Sequence, residues 1–135
     1  MKQRSLAKKS EFKTVYERGV KRIGRLLVVY LLDGSDEARA VVASRKVGGA
    51  VQRNRAKRLL REAVRNGVLG RAGGPEAVRT RFFPDSAANT IAGEQPGGLW
   101  VVLVARGAIL TAGAEDVRRE LDHLLEIPET NLRPA

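Results

Sequence analysis

The stretch "ASRKVGGAVQRNRAKRLLREAVR", residues 43–65, decides how this chain is read. An α-helix turns about 100° per residue. From residue 50 to 66 that period gathers Ala56, Leu59, Leu60, Ala63 and Val64 on one arc. Arg53, Lys57, Arg58, Arg61 and Arg65 fall on the other, with Asn54 near its middle and Arg55 on its flank. The spacing predicts a helix over roughly 50–66, closed by Asn66-Gly67, with one core face and one cationic face.

A solvated surface helix normally mixes signs, because Glu placed near Lys or Arg gives i,i+4 support. In this helix only Glu62 offsets the cations. Like charges four residues apart repel, so the arrangement favours a polyanionic partner that neutralises them. Arginine outnumbers lysine, and its planar fork suits bidentate phosphate contact and stacking on bases. Gly48 and Gly49 precede the helix. Two roles fit them: exposing backbone N–H groups at its positive end, or simply making the turn.

Working outward, the 135 residues suit one domain of 1–135 with a modest core. The net charge is +10 and the pI near 10.8. Residues 1–65 hold 18 Lys and Arg against 6 Asp and Glu, whereas 66–135 hold 7 against 9, and all seven lysines lie in the first part. Basic surface is thus concentrated in particular elements, as nucleic-acid binding requires. With no cysteine, disulfides, thiolate nucleophiles and Cys-based zinc sites are excluded. The charged start does not read as a signal peptide, and the longest apolar runs are too short to span a bilayer. A cytoplasmic protein without membrane contact is expected.

Ser10 is expected to cap a short first helix that Gly19 ends, with Phe12, Val15 and Tyr16 on one face. "RLLVVYLL", "DGSD" and "EARAVVAS" read as a β-hairpin. Alternation puts Leu26, Val28, Tyr30 and Leu32 on one side of its first strand and Leu27, Val29 and Leu31 on the other, which makes that strand central. Residues 67–98 are rich in Gly, Ala and Pro and read as a long flexible loop. "LWVVLVA" reads as a buried strand, and "AEDVRRELDHLLE" as a helix with a Val117, Leu121, Leu124, Leu125 stripe.

Residues 43–65 resemble the signature of the bacterial ribonuclease P protein component, an Arg-Asn-Arg motif followed by Lys-Arg and a further Arg, here Arg53, Asn54, Arg55, Lys57, Arg58 and Arg61. The resemblance extends to "SLAKKSEFKTVYERG", "LLVVYLLDG" and "LWVVLVARGAI" with the last helix. It implies a two-layer α/β (α+β) sandwich of order α-β-β-β-α-β-α with a left-handed βαβ crossover, like ribosomal protein S5 domain 2.

The family resemblance implies two partners, ribonuclease P RNA and the single-stranded 5′ leader of precursor tRNA, and no small-molecule substrate. On the same resemblance the RNA would perform the hydrolysis with Mg²⁺ that it mainly holds itself, and the protein alone would hold no cofactor. Arg45, Lys46 and Arg65 extend the basic site for the RNA. Phe12, Tyr16, Tyr30 and Arg106 would form the leader cleft, aromatic faces being suited to unpaired bases of any sequence. Core packing is the alternative for the three aromatics. Gly107 stands where the family has a second cation, and residues 67–98 depart from the family pattern. Within them "RTRFF", 79–83, has RNA contact, packing on the domain and disorder as its alternatives.

No catalytic constellation is visible. Asp33, Asp36 and Glu37 fall in a turn, Glu115, Asp116, Glu120, Asp122 and Glu126 on the last helix, and His123, the single histidine, opposite that helix's apolar stripe. The competing reading is a ribosomal or ribosome-assembly RNA-binding protein of similar fold, which needs the basic helix but no leader cleft.

Overall fold

Helix α2 spans Ala50–Asn66 and buries Ala56, Leu59, Leu60 and Ala63, with Val64 half-buried. These are the apolar positions of the helical wheel, and the cationic positions face outward. The computed structural model describes residues 4–34, 36–84 and 98–126. Around α2 the chain runs β1 (Arg4–Ser5), α1 (Lys9–Arg18), β2 (Val20–Ile23), β3 (Leu27–Gly34), β4 (Ala38–Val42), α2, α3 (Gly74–Phe82), β5 (Gly98–Ala105) and α4 (Ala114–Glu126). Short 3-10 turns occupy Val68–Gly70 and Gly107–Thr111.

The five strands lie in the order β1-β4-β5-β3-β2. β4 is parallel to both β1 and β5, whereas β3 is antiparallel to β5 and β2. The hairpin expected from "LLVVYLLDG" and "ARAVV" therefore does not form, because β5 lies between its two strands. The physical reason is burial. β5 buries Leu99, Val101, Leu103 and Ala105 on one pleat face and Val102 on the other. A strand apolar on both faces loses least surface to water in the middle of a sheet. β3 is interior as well, between β5 and β2. Leu26 departs from the predicted alternation: it precedes β3 and joins the core of Leu27, Val29 and Leu31.

Further expectations change with the structure. The sequence order held four strands, and β1 adds a fifth by pairing Arg4 and Ser5 with Ala38 and Arg39. The two-layer sandwich becomes a sheet with helices on both faces. α2 and α4 share a core with Leu27, Val101 and Leu103, while α1 lays Val15 and Phe12 on Leu6, Ala38 and Val102 opposite. Nor do residues 67–84 form a loop. Pro75 opens α3, Gly73 before it takes the left-handed φ of 76°, and Val78 is fully buried. Proline fits the first helical turn because its missing N–H is not needed there. Residues 85–97 lie outside the described residues.

The start of α1 also differs. Lys8 rather than Ser10 takes the N-cap position, and the Glu11 carboxylate accepts the N–H groups of Ala7 and Lys8. α4 carries the predicted stripe, with Val117, Leu121, Leu124 and Leu125 all buried. From the flank of that stripe Glu120 reaches the turn before β3. One carboxylate there accepts three backbone N–H groups: Arg25 at 3.1 Å, Leu26 at 2.7 Å and Leu27 at 3.1 Å. Glu120→Ala would leave buried donors unpaired, so urea denaturation should report a loss of about 2–4 kcal/mol. Glu120→Gln, which retains one acceptor oxygen, should lose less. A variant as stable as the parent would mean that water satisfies these donors.

Candidate nucleic-acid interface

On α2 the side chains of Asn54, Arg55, Arg58, Arg61 and Arg65 are exposed, and those of Arg53 and Lys57 are partly so. Among the described residues none of these cations lies within 4.0 Å of a carboxylate. Arg53 makes one local bond, Nε to the carbonyl of Gly49 at 3.4 Å. Arg45 and Lys46 are exposed too, but they sit in the turn before α2 and not on the helix. Gly48 in that turn has φ 150°, a value that side chains avoid, so its need is conformational. Gly49 is the N-cap, extended and without a side-chain cap.

Several carboxylates are committed elsewhere. Asp36 and Glu11 hold Arg4, and Asp36 also accepts the Trp100 indole N–H at 2.9 Å. Arg4 holds both carboxyls below their usual pKa range, chiefly through its hydrogen bonds. Asp33 pairs with Arg79, and Glu115 and Asp122 with Arg118. Asp122 also accepts the Val68 N–H. Glu120 is occupied by its three N–H groups, and His123 is exposed. Among the described residues these acids do not come together as a set fit to hold a metal ion.

On the opposite face of the sheet, the predicted aromatics come together. Tyr16 and Tyr30 meet edge to face with centroids 4.8 Å apart, and Phe12 lies 6.2 Å from Tyr16. Helical spacing aligns Phe12 and Tyr16, while the pleat turns Tyr30 toward α1. Phe12 and Tyr30 are partly buried against the α1-side core, and Tyr16 is 41% exposed. Each ring packs against its neighbours, and the row still meets solvent at Tyr16. Burial, then the neighbouring Tyr30, raises the Tyr16 hydroxyl pKa above its ordinary value, so it stays a neutral donor. Strand register continues the row as Lys21, Tyr30, Val102 and Ala40 across β2, β3, β5 and β4. The Lys21 ammonium stands 5.7 Å from the Tyr30 ring centroid.

Arg106 does not join this group. Its Nη1 donates to the Gly24 carbonyl at 2.9 Å, beside the turn that Glu120 holds. Arg79 and Arg81 of "RTRFF" both have partners within the fold. Arg79 pairs with Asp33, Arg81 donates to the Leu125 carbonyl, and Phe82 and Phe83 pack on the core.

A groove of about 570 Å³ links the two faces at the β4 edge. Phe12 and Leu6 line one wall, Arg61, Val64 and Arg65 the other, with Arg39 and Val41 between. Arg39 was not singled out from the sequence. Its signal was position, since it alternates in step with the core-side Val41 and Ala43. Its Nη2 donates to the Leu69 carbonyl at 2.9 Å, and burial lowers its pKa, with Glu37 pulling the other way.

The family model for ribonuclease P matches residues 1–69. The ribonuclease P protein component of Dehalococcoides mccartyi strain CBDB1 is 33% identical over 122 residues, covering 89% of this chain and 80% of the relative. That of Bacillus velezensis is 46% identical over 68 residues, covering 47% of this chain and 59% of the relative. Among solved structures, the RNase P protein from Thermotoga maritima superposes with a TM-score of 0.60 at 21% identity, covering 91% of this chain and 96% of its own. The Staphylococcus aureus RNase P protein gives 0.57 at 20% identity, covering 90% and 92%. At those identities the two structures speak for the fold. With a cationic helix, an aromatic row and a relative aligned along most of its length, the chain belongs to the ribonuclease P protein family.

Proposed function

We propose that this chain is the protein subunit of ribonuclease P, which binds the catalytic RNA and the single-stranded 5′ leader of precursor tRNA. Hydrolysis that frees the mature 5′ end then belongs to the RNA, with Mg²⁺ held there. The observation that carries this reading is the pairing of two unlike surfaces through one groove: an unneutralised cationic helix and a partly exposed aromatic row. A ribosomal RNA-binding protein would need the helix but would have no use for the row. The reading includes action in the cytoplasm; among the described residues, no helix is long and apolar enough to cross a membrane. It also includes the left-handed sense of the β4-α2-β5 crossover and a fold like ribosomal protein S5 domain 2. The parallel adjacency of β4 and β5 requires a crossover between them, whichever its hand.

In this mechanism the protein binds and positions. Arg53, Arg55, Lys57 and Arg58, with Arg45 and Lys46, contact phosphates of the RNA subunit, and Asn54 among them can both donate and accept. Phe12 and Tyr16 offer ring faces to unpaired leader bases, Tyr30 buttresses Tyr16, and Lys21 adds a cation at the far end. Reconstitution tests the reading. Added to a ribonuclease P RNA, the protein should lower the Mg²⁺ required and favour precursor over mature tRNA. Equal affinity for both tRNAs, together with tight ribosomal RNA binding, would support the ribosomal alternative. Tyr16→Ala should cut the preference for precursor by roughly tenfold, since one stacked base is worth about 1–3 kcal/mol. Loss of folding stability without that change would assign Tyr16 to the core.

A further inference from the structure

We infer that Arg39, Arg61 and Arg65 together bind one backbone phosphate of the leader where it turns off the aromatic row, a site that rests on the function proposed above. β1 covers the edge of β4 only at Ala38 and Arg39, so beyond Arg39 that edge opens into the groove. Arg39 enters it from the sheet, while Arg61 and Arg65 enter from successive turns of α2.

Two other partly buried guanidiniums pair with carboxylates. Arg79 meets Asp33 at 2.6 Å, and Arg118 meets Asp122 at 3.1 Å. Arg39 is comparably enclosed, yet its one hydrogen bond goes to a neutral carbonyl. Among the described residues, no carboxylate lies within 4.0 Å of Arg39, Arg61 or Arg65. A partly desolvated cation with no carboxylate in contact is costly, and an incoming anion recovers that cost. Arginine forks match a phosphate in both charge and geometry.

The far wall identifies whose phosphate it is. Phe12 shares the groove with the three guanidiniums, so the ligand carries a flat apolar part beside its anion. An unpaired nucleotide has both parts free, whereas a base inside an RNA duplex is stacked and paired. The far end of the cationic stripe is thereby reassigned from the catalytic RNA to the leader. Arg39, outside the Arg-Asn-Arg helix, becomes part of the same site.

The test uses holoenzyme reconstituted with the parent protein, Arg39→Gln, Arg65→Gln and the double variant. Affinities are measured for precursor tRNA with its leader, for mature tRNA and for the RNA subunit, across a salt series. Each single variant should lower the ratio of precursor to mature affinity by roughly tenfold, the worth of one charge-assisted contact. Each should also flatten the salt slope for precursor by up to about 0.7. The double variant should lose little more than the worse single, because both arginines share one phosphate. Independent, additive losses would overturn the shared site. So would a loss confined to the RNA-subunit affinity, which would return the phosphate to the catalytic RNA. Where Arg39→Gln lowers stability, Arg65→Gln decides, its side chain being exposed and without a hydrogen bond. A parent holoenzyme indifferent to the leader would defeat the proposed function itself. A leader-dependent parent with unaffected variants would defeat only this site.

Discussion

Replacing Arg53, Arg55 and Arg58 together with alanine is expected to weaken binding of ribonuclease P RNA by roughly a hundredfold at physiological salt. Each phosphate contact releases condensed counterions, worth about 1 kcal/mol at that ionic strength. Three lost contacts should also flatten the dependence of log K on log salt by about 2–3. The fold should not suffer. These side chains face away from the core and form no ion pair with a carboxylate among the described residues, and alanine is the best helix former. The melting temperature should hold or rise as like-charge repulsion along the helix is relieved. Titrations at several salt concentrations, beside a thermal melt, separate the two effects. Full affinity with an intact helix would remove α2 from the RNA interface.

The second large effect concerns the fold. Gly98→Ala should cost roughly 3 kcal/mol or more, enough to leave much of the chain unfolded if its stability is ordinary. A Cβ at Gly98 would overlap the backbone of Asp36 and Glu37, which cannot rotate aside as a side chain can. Gly98 faces Gly34 in the β3–β5 register. The chain leaving β3 therefore passes close over the start of β5 on its way to β4. Gly113→Ala is a suitable control, since its nearest contact would be the Asp116 carboxylate at 3.7 Å. Equal urea midpoints for the two variants would refute the close crossing.

That crossing explains what the sequence withheld. "DGSD" between two apolar segments has the composition of a hairpin turn, and local chemistry alone favours that reading. Strand partners are chosen by long-range burial, and β5, more than sixty residues after β3, displaces β4. Gly98 was the nearest local mark, lost in a Gly-rich stretch. α3 was hidden for a related reason. Pro75 and Glu76 are sound helix-start signals, but Val78 is the one large side chain on it that is fully buried, so periodicity is faint. α2 and α4 were legible because each repeats its apolar stripe over several turns. The aromatic row was suggested by resemblance, and its geometry combines packing at Phe12 and Tyr30 with exposure at Tyr16. Arg39 stayed unseen because one arginine in a strand is ordinary; a groove shared with Arg61 and Arg65 is not.

The central place of β5 governs the order in which the molecule can fold. β4 with β1, and β3 with β2, are complete by residue 42, yet neither pair touches the other in the sheet. Both wait for residues 98–105 to supply the strand between them. During synthesis the inner edges of β3 and β4 are therefore open to wrong partners until most of the chain has emerged. So large a share of distant pairings also slows folding, since loop closure is paid before contacts reward it. α2 follows the waiting strands in the chain, and two of its packing partners, β5 and α4, arrive only at that late step. An unfinished chain thus carries the charge to attract RNA but not the surface that orders it.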